Sequence, residues 1–242
     1  MGLFKPTTID KECDKAARIL KGFVGTLPCH LSSQHLADHV ADKGKIPQDV
    51  IANAKGIAIF SGFRAAMYLA GNGGSGVVSA RLADGSWSPP SAFSVRTGGV
   101  GLAYGVDVYD CICVLNTQAA VDAYMKSEVQ LGAAVSLAAG PIGGDWTMAE
   151  VKPVWTYTKS RGIYGGLTVD GTVIKERKDA NAEFYHSKVT AEQILTGAVG
   201  EGKWPAGGER LSELLKASEG HIANGKVLAD ITNEPTPGDL KE

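Results

Sequence analysis

Few residues in this sequence sit at spacings that could support chemistry. Gly71, Gly73 and Gly76 fit the G-x-G-x-x-G spacing of a dinucleotide-binding loop. That loop needs a helix after it, whose N-terminus faces the pyrophosphate. Val77-Val78-Ser79-Ala80-Arg81-Leu82 follows instead, alternates like a strand and reaches a turn signal at Asp84-Gly85. The glycines therefore read as a structural turn or bulge. His35 and His39 are spaced i, i+4, with Cys29 and His30 nearby. The intervening Leu36-Ala37-Asp38 lacks the glutamate of a metalloprotease helix, so a polar helix or loop is expected rather than a metal site. Asp107 and Asp110 flank Tyr109 in a β run and read as turn or edge residues. No G-x-S-x-G elbow and no phosphate-binding G-x-x-x-x-G-K-[ST] loop is present. Without a nucleophile, base and orienting group in one set, no catalytic residue, metal ligand or cofactor is assigned.

The segment whose physics suggests a partner is the N-terminus. Residues 8–24 read as an amphipathic helix: Ile9, Cys13, Ala16, Ala17, Leu20 and Val24 recur at helical spacing. Thr7 and Asp10 fit a helix start signal, and Gly25 and Pro28 stop it. Lys11, Lys15 and Arg18 form another stripe, with Lys21 beside it. Such a helix either packs on its own domain or lies on an anionic membrane. On a membrane, the four cations would face head groups, while Leu20, Phe23 and Val24 would contact acyl chains. Four cations at ~1 kcal/mol each and one buried apolar side chain at ~1.5–3 kcal/mol would give reversible, roughly micromolar attachment. A second basic cluster comprises Lys159, Arg161, Lys175, Arg177 and Lys178. It fits either a further anionic contact or a solvated strand end.

The elements that must position these residues run helices, many strands, then helices. Strands are expected at 57–60, 67–70, 76–82, 93–96, 101–106 and 109–115. Others are expected at 129–139, 154–158, 162–169 and 172–176, with Asp170-Gly171 turning the chain between the last two. Further helices are expected near 47–54, 117–126, 179–185, 190–196 and 209–218. Consecutive strands joined by short turns predict an α+β fold, with an antiparallel sheet or partial barrel packed with short helices at both ends of the chain. Glycine is enriched, at 31 of 242 residues against a usual ~7%. That suits tight turns and close backbone approaches. The last 40 or so residues, with several Gly and Pro and an acidic balance, read as a loosely attached tail.

Composition narrows the class. Hydrophobic content of 44% fills a core, and a net charge of -2 supplies no global field for nucleic acid. Cys13, Cys29, Cys111 and Cys113 show no C-x-x-C spacing, and Cys111 and Cys113 share a strand face as expected buried thiols. No N-terminal apolar run resembles a signal peptide, and no window of about 20 apolar residues is present. A reduced, cytoplasmic protein is expected.

Several segments, in order, resemble the SYLF domain family, also described as a yeast actin-binding domain. They include Lys15-Ala16-Ala17-Arg18-Ile19-Leu20, Ala54-Lys55-Gly56-Ile57-Ala58 and Gly73-Gly74-Ser75-Gly76-Val77-Val78. Asp84-Gly85-Ser86-Trp87-Ser88-Pro89-Pro90-Ser91-Ala92, Ala139-Gly140-Pro141-Ile142-Gly143 and Lys159-Ser160-Arg161-Gly162 continue the match, and Phe184-Tyr185 closes it. The resemblance covers roughly residues 9–197, which implies a SYLF-like domain over 1–197 and a tail over 198–242. It implies a non-enzymatic role. Members bind phosphoinositide-containing membranes, with an N-terminal amphipathic helix implicated. Fungal members also bind and bundle actin filaments at endocytic sites. The expectation is a peripheral membrane protein at cortical actin, with anionic phosphoinositide membranes and actin filaments as partners. Actin binding without direct lipid contact is the alternative, and a small-molecule binder or enzyme in a glycine-lined cleft is the third reading.

Overall fold

A computed structural model of the chain describes residues 7–24, 45–139, 153–199 and 206–239. Helix α1 (Ile9–Phe23) follows the expected apolar stripe, and Ile9, Cys13, Ala16, Ala17, Leu20 and Phe23 are all buried. Its N-cap, Thr8, makes no side-chain cap bond. Thr7 donates instead to Glu12 Oε1 at 3.0 Å, so the expected start signal serves a buried carboxylate. Helix α2 (Gln48–Ala52) begins directly after Pro47.

Four long antiparallel strands form one sheet in the order β1-β2-β4-β3: β1 (Gly56–Ala80), β2 (Ser91–Leu115), β3 (Glu128–Ala139) and β4 (Val154–Glu176). Helix α3 (Gln118–Met125) links β2 to β3. Helices α4 (Lys178–Tyr185), α5 (Ala191–Leu195), α6 (Ala206–Ser218) and α7 (Gly225–Ala229) follow the sheet. The class is α+β, as the sequence predicts. The short strands expected from local signals are merged into long ones. Asp170-Gly171 does not turn; Gly171 pairs with Gly98 inside β4. With β2 on one side and β3 on the other, β4 stays extended through residues that favour a turn in isolation. Asp84-Gly85 does turn, with Gly85 at φ +86 and Ser86 N–H donating to Asp84 Oδ1.

Strand β1 doubles back on itself. A straight strand would hold Ile59 and Gly76 about 55 Å apart. Here a Cβ at Gly76 would overlap the Ile59 carbonyl oxygen, and one at Gly74 would lie 2.5 Å from that of Ser61. The bend falls where the register shifts: Met67 pairs with Tyr104, but Leu69 pairs with Val100. Two residues of β1 thus span four of β2, an irregularity that sharpens local bending. The glycine motif at 71–76 lies in the returning half, where Gly74 and Gly76 permit this approach.

Both sheet faces are covered near the strand ends. Ile57, Ile59, Val77, Ile112 and Val114 share a cluster with residues of α1, α2 and α6. Ala58, Phe60, Val78, Cys111 and Leu115 share another with Val121 of α3 and Leu195 of α5. A strand buried on both sides reads as a continuous apolar run, as Ile57-Ala58-Ile59-Phe60 does. The C-terminal segment is not a loose tail. Leu211, Leu214 and Leu215 of α6 are buried against α1. Gly207 N–H donates to Asp10 Oδ1 at 2.8 Å, and Arg210 pairs with Asp14 at 2.6 Å. These leucines are the apolar partner that α1 needs.

Candidate functional site

The polar face of α1 carries the cations singled out in the sequence, and the sheet and the C-terminal segment decide their environment. Glu12, buried on the same helix, sits under Lys15 at 2.5 Å. Arg177, between β4 and α4, approaches Glu12 to 3.5 Å and donates to the Thr7 carbonyl at 2.7 Å. Ser75 of β1 donates to Glu12 at 2.8 Å. Burial pushes this carboxyl up, but the Lys15 charge and the donors from Lys15, Ser75 and Thr7 outweigh it, leaving Glu12 below the usual carboxylate range. Lys15 and Arg177 therefore act as internal counter-ions that pin α1 to the sheet.

One turn further on, the arrangement is different. Arg18 and Lys21 of α1 and Lys159 of β4 line one cleft of ≈ 300 Å³. A methyl added at Gly22 would lie 3.8 Å from Lys159 Nζ, which places that ammonium against the helix. Two cation groups that are far apart in sequence thus meet in one place. The far wall is the segment 231–239. Arg18 pairs with Glu234 at 2.8 Å, and Lys21 donates to Asn233 Oδ1 at 2.8 Å and to the Ile231 carbonyl at 2.9 Å. Lys159 pairs with Asp239. The strap is anchored by Gly238 N–H, which donates to buried Asp110 at 2.8 Å; Ser61 donates to the same carboxylate at 2.6 Å. Burial raises the Asp110 carboxyl, against the pull of these donors. Asp239 is held low: its partial burial is outweighed by Lys159 and by donors from Thr236.

The remaining expected residues are dispersed. Lys11 and Lys178 are exposed, Arg161 is half-buried, and Lys175 reaches Glu128 at 3.5 Å. Leu20, Phe23 and Val24, expected to meet acyl chains, are buried in the core with Ile112 and Leu214. Their burial follows from α6, which supplies the apolar partner that a free helix would lack. Asp107 and Asp110 are also not edge residues. They lie in β2, between β1 and β4, and Asp107 holds Arg64 at 2.6 Å. Cys13 and Cys111 are buried thiols; Cys113 is half-buried, 3.8 Å from Cys111 Sγ. Among the described residues, no three His, Cys, Asp or Glu side chains cluster as a metal site. Cys29, His30, His35 and His39 lie outside the described residues. No described helix is long and apolar enough to cross a membrane. Asn233, Glu234 and Asp239 were not legible as site residues, because nothing in their local sequence ties them to α1.

Comparison with known proteins matches residues 96–218 to the family described as "Ysc84: Las17-binding protein actin regulator". "SH3 domain-containing YSC84-like protein 1" of Rattus norvegicus is 36% identical over 235 residues, covering 93% of this chain and 65% of that protein. "LAS seventeen-binding protein 3" of Saccharomyces cerevisiae is 38% identical over 201 residues, covering 80% of this chain and 42% of that protein. An SH3 domain-containing protein of Schizosaccharomyces pombe is 34% identical over 243 residues, with 97% and 53% covered. The chain thus spans between two fifths and two thirds of the length of these relatives. No solved structure matches it.

Proposed function

Because this chain belongs to the Ysc84 family of actin regulators, we propose that it is a non-enzymatic actin-regulatory module that attaches peripherally to phosphoinositide-containing membranes at cortical, endocytic sites. The observation that carries the membrane half is the convergence of Arg18, Lys21 and Lys159 on one cleft. Three cations from two elements suit a multiply charged phosphate ester, with polar neighbours to orient it. The acceptors now facing them are carboxylates, a side-chain amide and a backbone carbonyl of one strap. In this reading α1 stays docked and presents only its polar face. The actin half is supported by the family description and by the name of the yeast relative.

The test is flotation of the full chain with neutral vesicles and with vesicles holding a few per cent phosphatidylinositol bisphosphate, beside co-sedimentation with actin filaments. Substituting Arg18, Lys21 and Lys159 together by Gln is expected to weaken lipid binding roughly 10–100-fold, from about 1 kcal/mol per cation before screening. Filament binding without any flotation would favour the actin reading alone. Flotation that the triple variant leaves unchanged would remove the cleft from the proposal.

A further inference from the structure

The bend of the sheet presents an apolar surface that the cationic cleft does not explain. Met67, Val100, Tyr104 and Val106 are 67%, 60%, 72% and 55% exposed. They are neighbours by register: Met67 pairs with Tyr104, and Val100 and Val106 flank it along β2. The level of the sheet around them carries no charge: no Asp, Glu, Lys or Arg occurs in 65–70 of β1, 100–106 of β2, 135–139 of β3 or 163–169 of β4, while Asp170, paired with Gly99 and Ala134, marks its border. Pairing sets these segments side by side, with Tyr104 against Gly165 and Gly165 against Ala139. At 21% charged residues overall, segments of this combined length would be expected to carry several charges. Charges return at the borders: Arg64 and Asp107 form an ion pair on one side, while exposed Arg96 and half-buried Arg161 have no ion-pair partner among the described residues.

We propose that this bend is a membrane-insertion tip, with Met67, Val100, Tyr104 and Val106 entering the interfacial layer of a lipid bilayer. The inference rests on the membrane reading above and supplies the apolar contact that buried Leu20, Phe23 and Val24 do not make. A bilayer is the occupant that a band without charges on all four strands fits. A protein partner tolerates charges inside its footprint, whereas hydrocarbon penalises each one. From Arg64 to the turn of β1 is three or four residues, about 10 Å, the depth of an interfacial rather than a spanning element. Tyr104 has the amphipathic ring that membrane interfaces favour. Arg96 and Arg161 complement anionic head groups at the rim.

The test uses the full chain and vesicles of phosphatidylcholine with phosphatidylinositol bisphosphate. The double variant Met67→Asp with Tyr104→Asp changes exposed side chains and is expected to keep the wild-type melting temperature. It should lose at least tenfold in flotation affinity and lose the binding that persists at 0.5 M salt. Tyr104→Trp should bind as well as wild type or better. Equal flotation of the double Asp variant and wild type would overturn the tip while leaving the cationic cleft standing. A wild type that dimerises without lipid, and becomes monomeric on the double substitution with flotation unchanged, would assign the patch to self-association instead. A wild type that never floats would overturn both, whatever the variants do.

Discussion

The Glu12 carboxylate and the Arg177 guanidinium lie 3.5 Å apart across the seam between the first helix and the end of the last long strand. Glu12 is buried and Arg177 half-buried, and Lys15 completes the cluster at 2.5 Å. Glu12→Gln would leave two cations facing a neutral amide, at an expected cost of about 1–3 kcal/mol near neutral pH. The dependence on pH has a definite sign. The folded carboxyl titrates below its ordinary value of 4.5, so its stabilisation is complete above that value and is lost as the pH falls through the lower folded one. Denaturant midpoints of the two proteins should therefore differ most near pH 7 and draw together as the pH falls below 4.5. A gap that does not narrow on acidification would count against the ion cluster.

The doubled strand has a sharper test in a pair of glycines three residues apart. Gly76→Ala would place a methyl on the Ile59 carbonyl oxygen, which cannot give way without moving β1. A loss of about 1–3 kcal/mol is expected. Gly73→Ala meets nothing within 4 Å and should be neutral or stabilising by up to about 1 kcal/mol. Thermal melts of both variants decide it. Equal effects would mean that the two halves of β1 do not meet as described.

The helices other than the five-residue α7 were legible because their signals are local. Periodic apolar residues mark α1, and Thr190 with Gln193 forms a complete capping box at α5. The strand lengths were not legible, because Asp170-Gly171 carries a turn signal that pairing on both sides overrides. The cleft was half legible. Arg18, Lys21 and Lys159 stand out in the sequence by charge, but only the fold brings them together, and the strap over them follows from α6 docking on α1. The burial of Leu20 and Phe23 depends on that same partner, and nothing in the local sequence of α6 ties its leucines to α1.

The strap should weaken binding to anionic surfaces. Glu234 is 72% exposed, so its pair with Arg18 contributes at most about 1 kcal/mol to folding. It nevertheless neutralises a cation at the mouth of the cleft. Glu234→Gln is expected to leave the melting temperature within a degree or two and raise affinity for phosphatidylinositol bisphosphate vesicles about two- to fivefold. Deleting residues 233–242 should raise affinity further, at some loss of stability because Gly238 no longer donates to Asp110. Flotation at low ionic strength measures both. Weaker binding by Glu234→Gln would show that the carboxylate helps rather than competes.

Leu20 separates a docked helix from an inserting one. It is fully buried among side chains that include those of α6. Leu20→Ala is therefore expected to cost about 2–5 kcal/mol, the range for emptying a well-packed site. In a domain of this size that lowers the melting temperature by roughly 4–20 °C, at 2–4 °C per kcal/mol. Lipid affinity, measured well below the melting point, should be unchanged, because a docked Leu20 never reaches the bilayer. An inserting helix predicts the reverse: little change in melting temperature and a clear loss of flotation. Leu214→Ala, on the facing helix, tests the same packing without touching any cation. Matched losses of stability with intact flotation in both variants would establish that α1 works from its polar face alone.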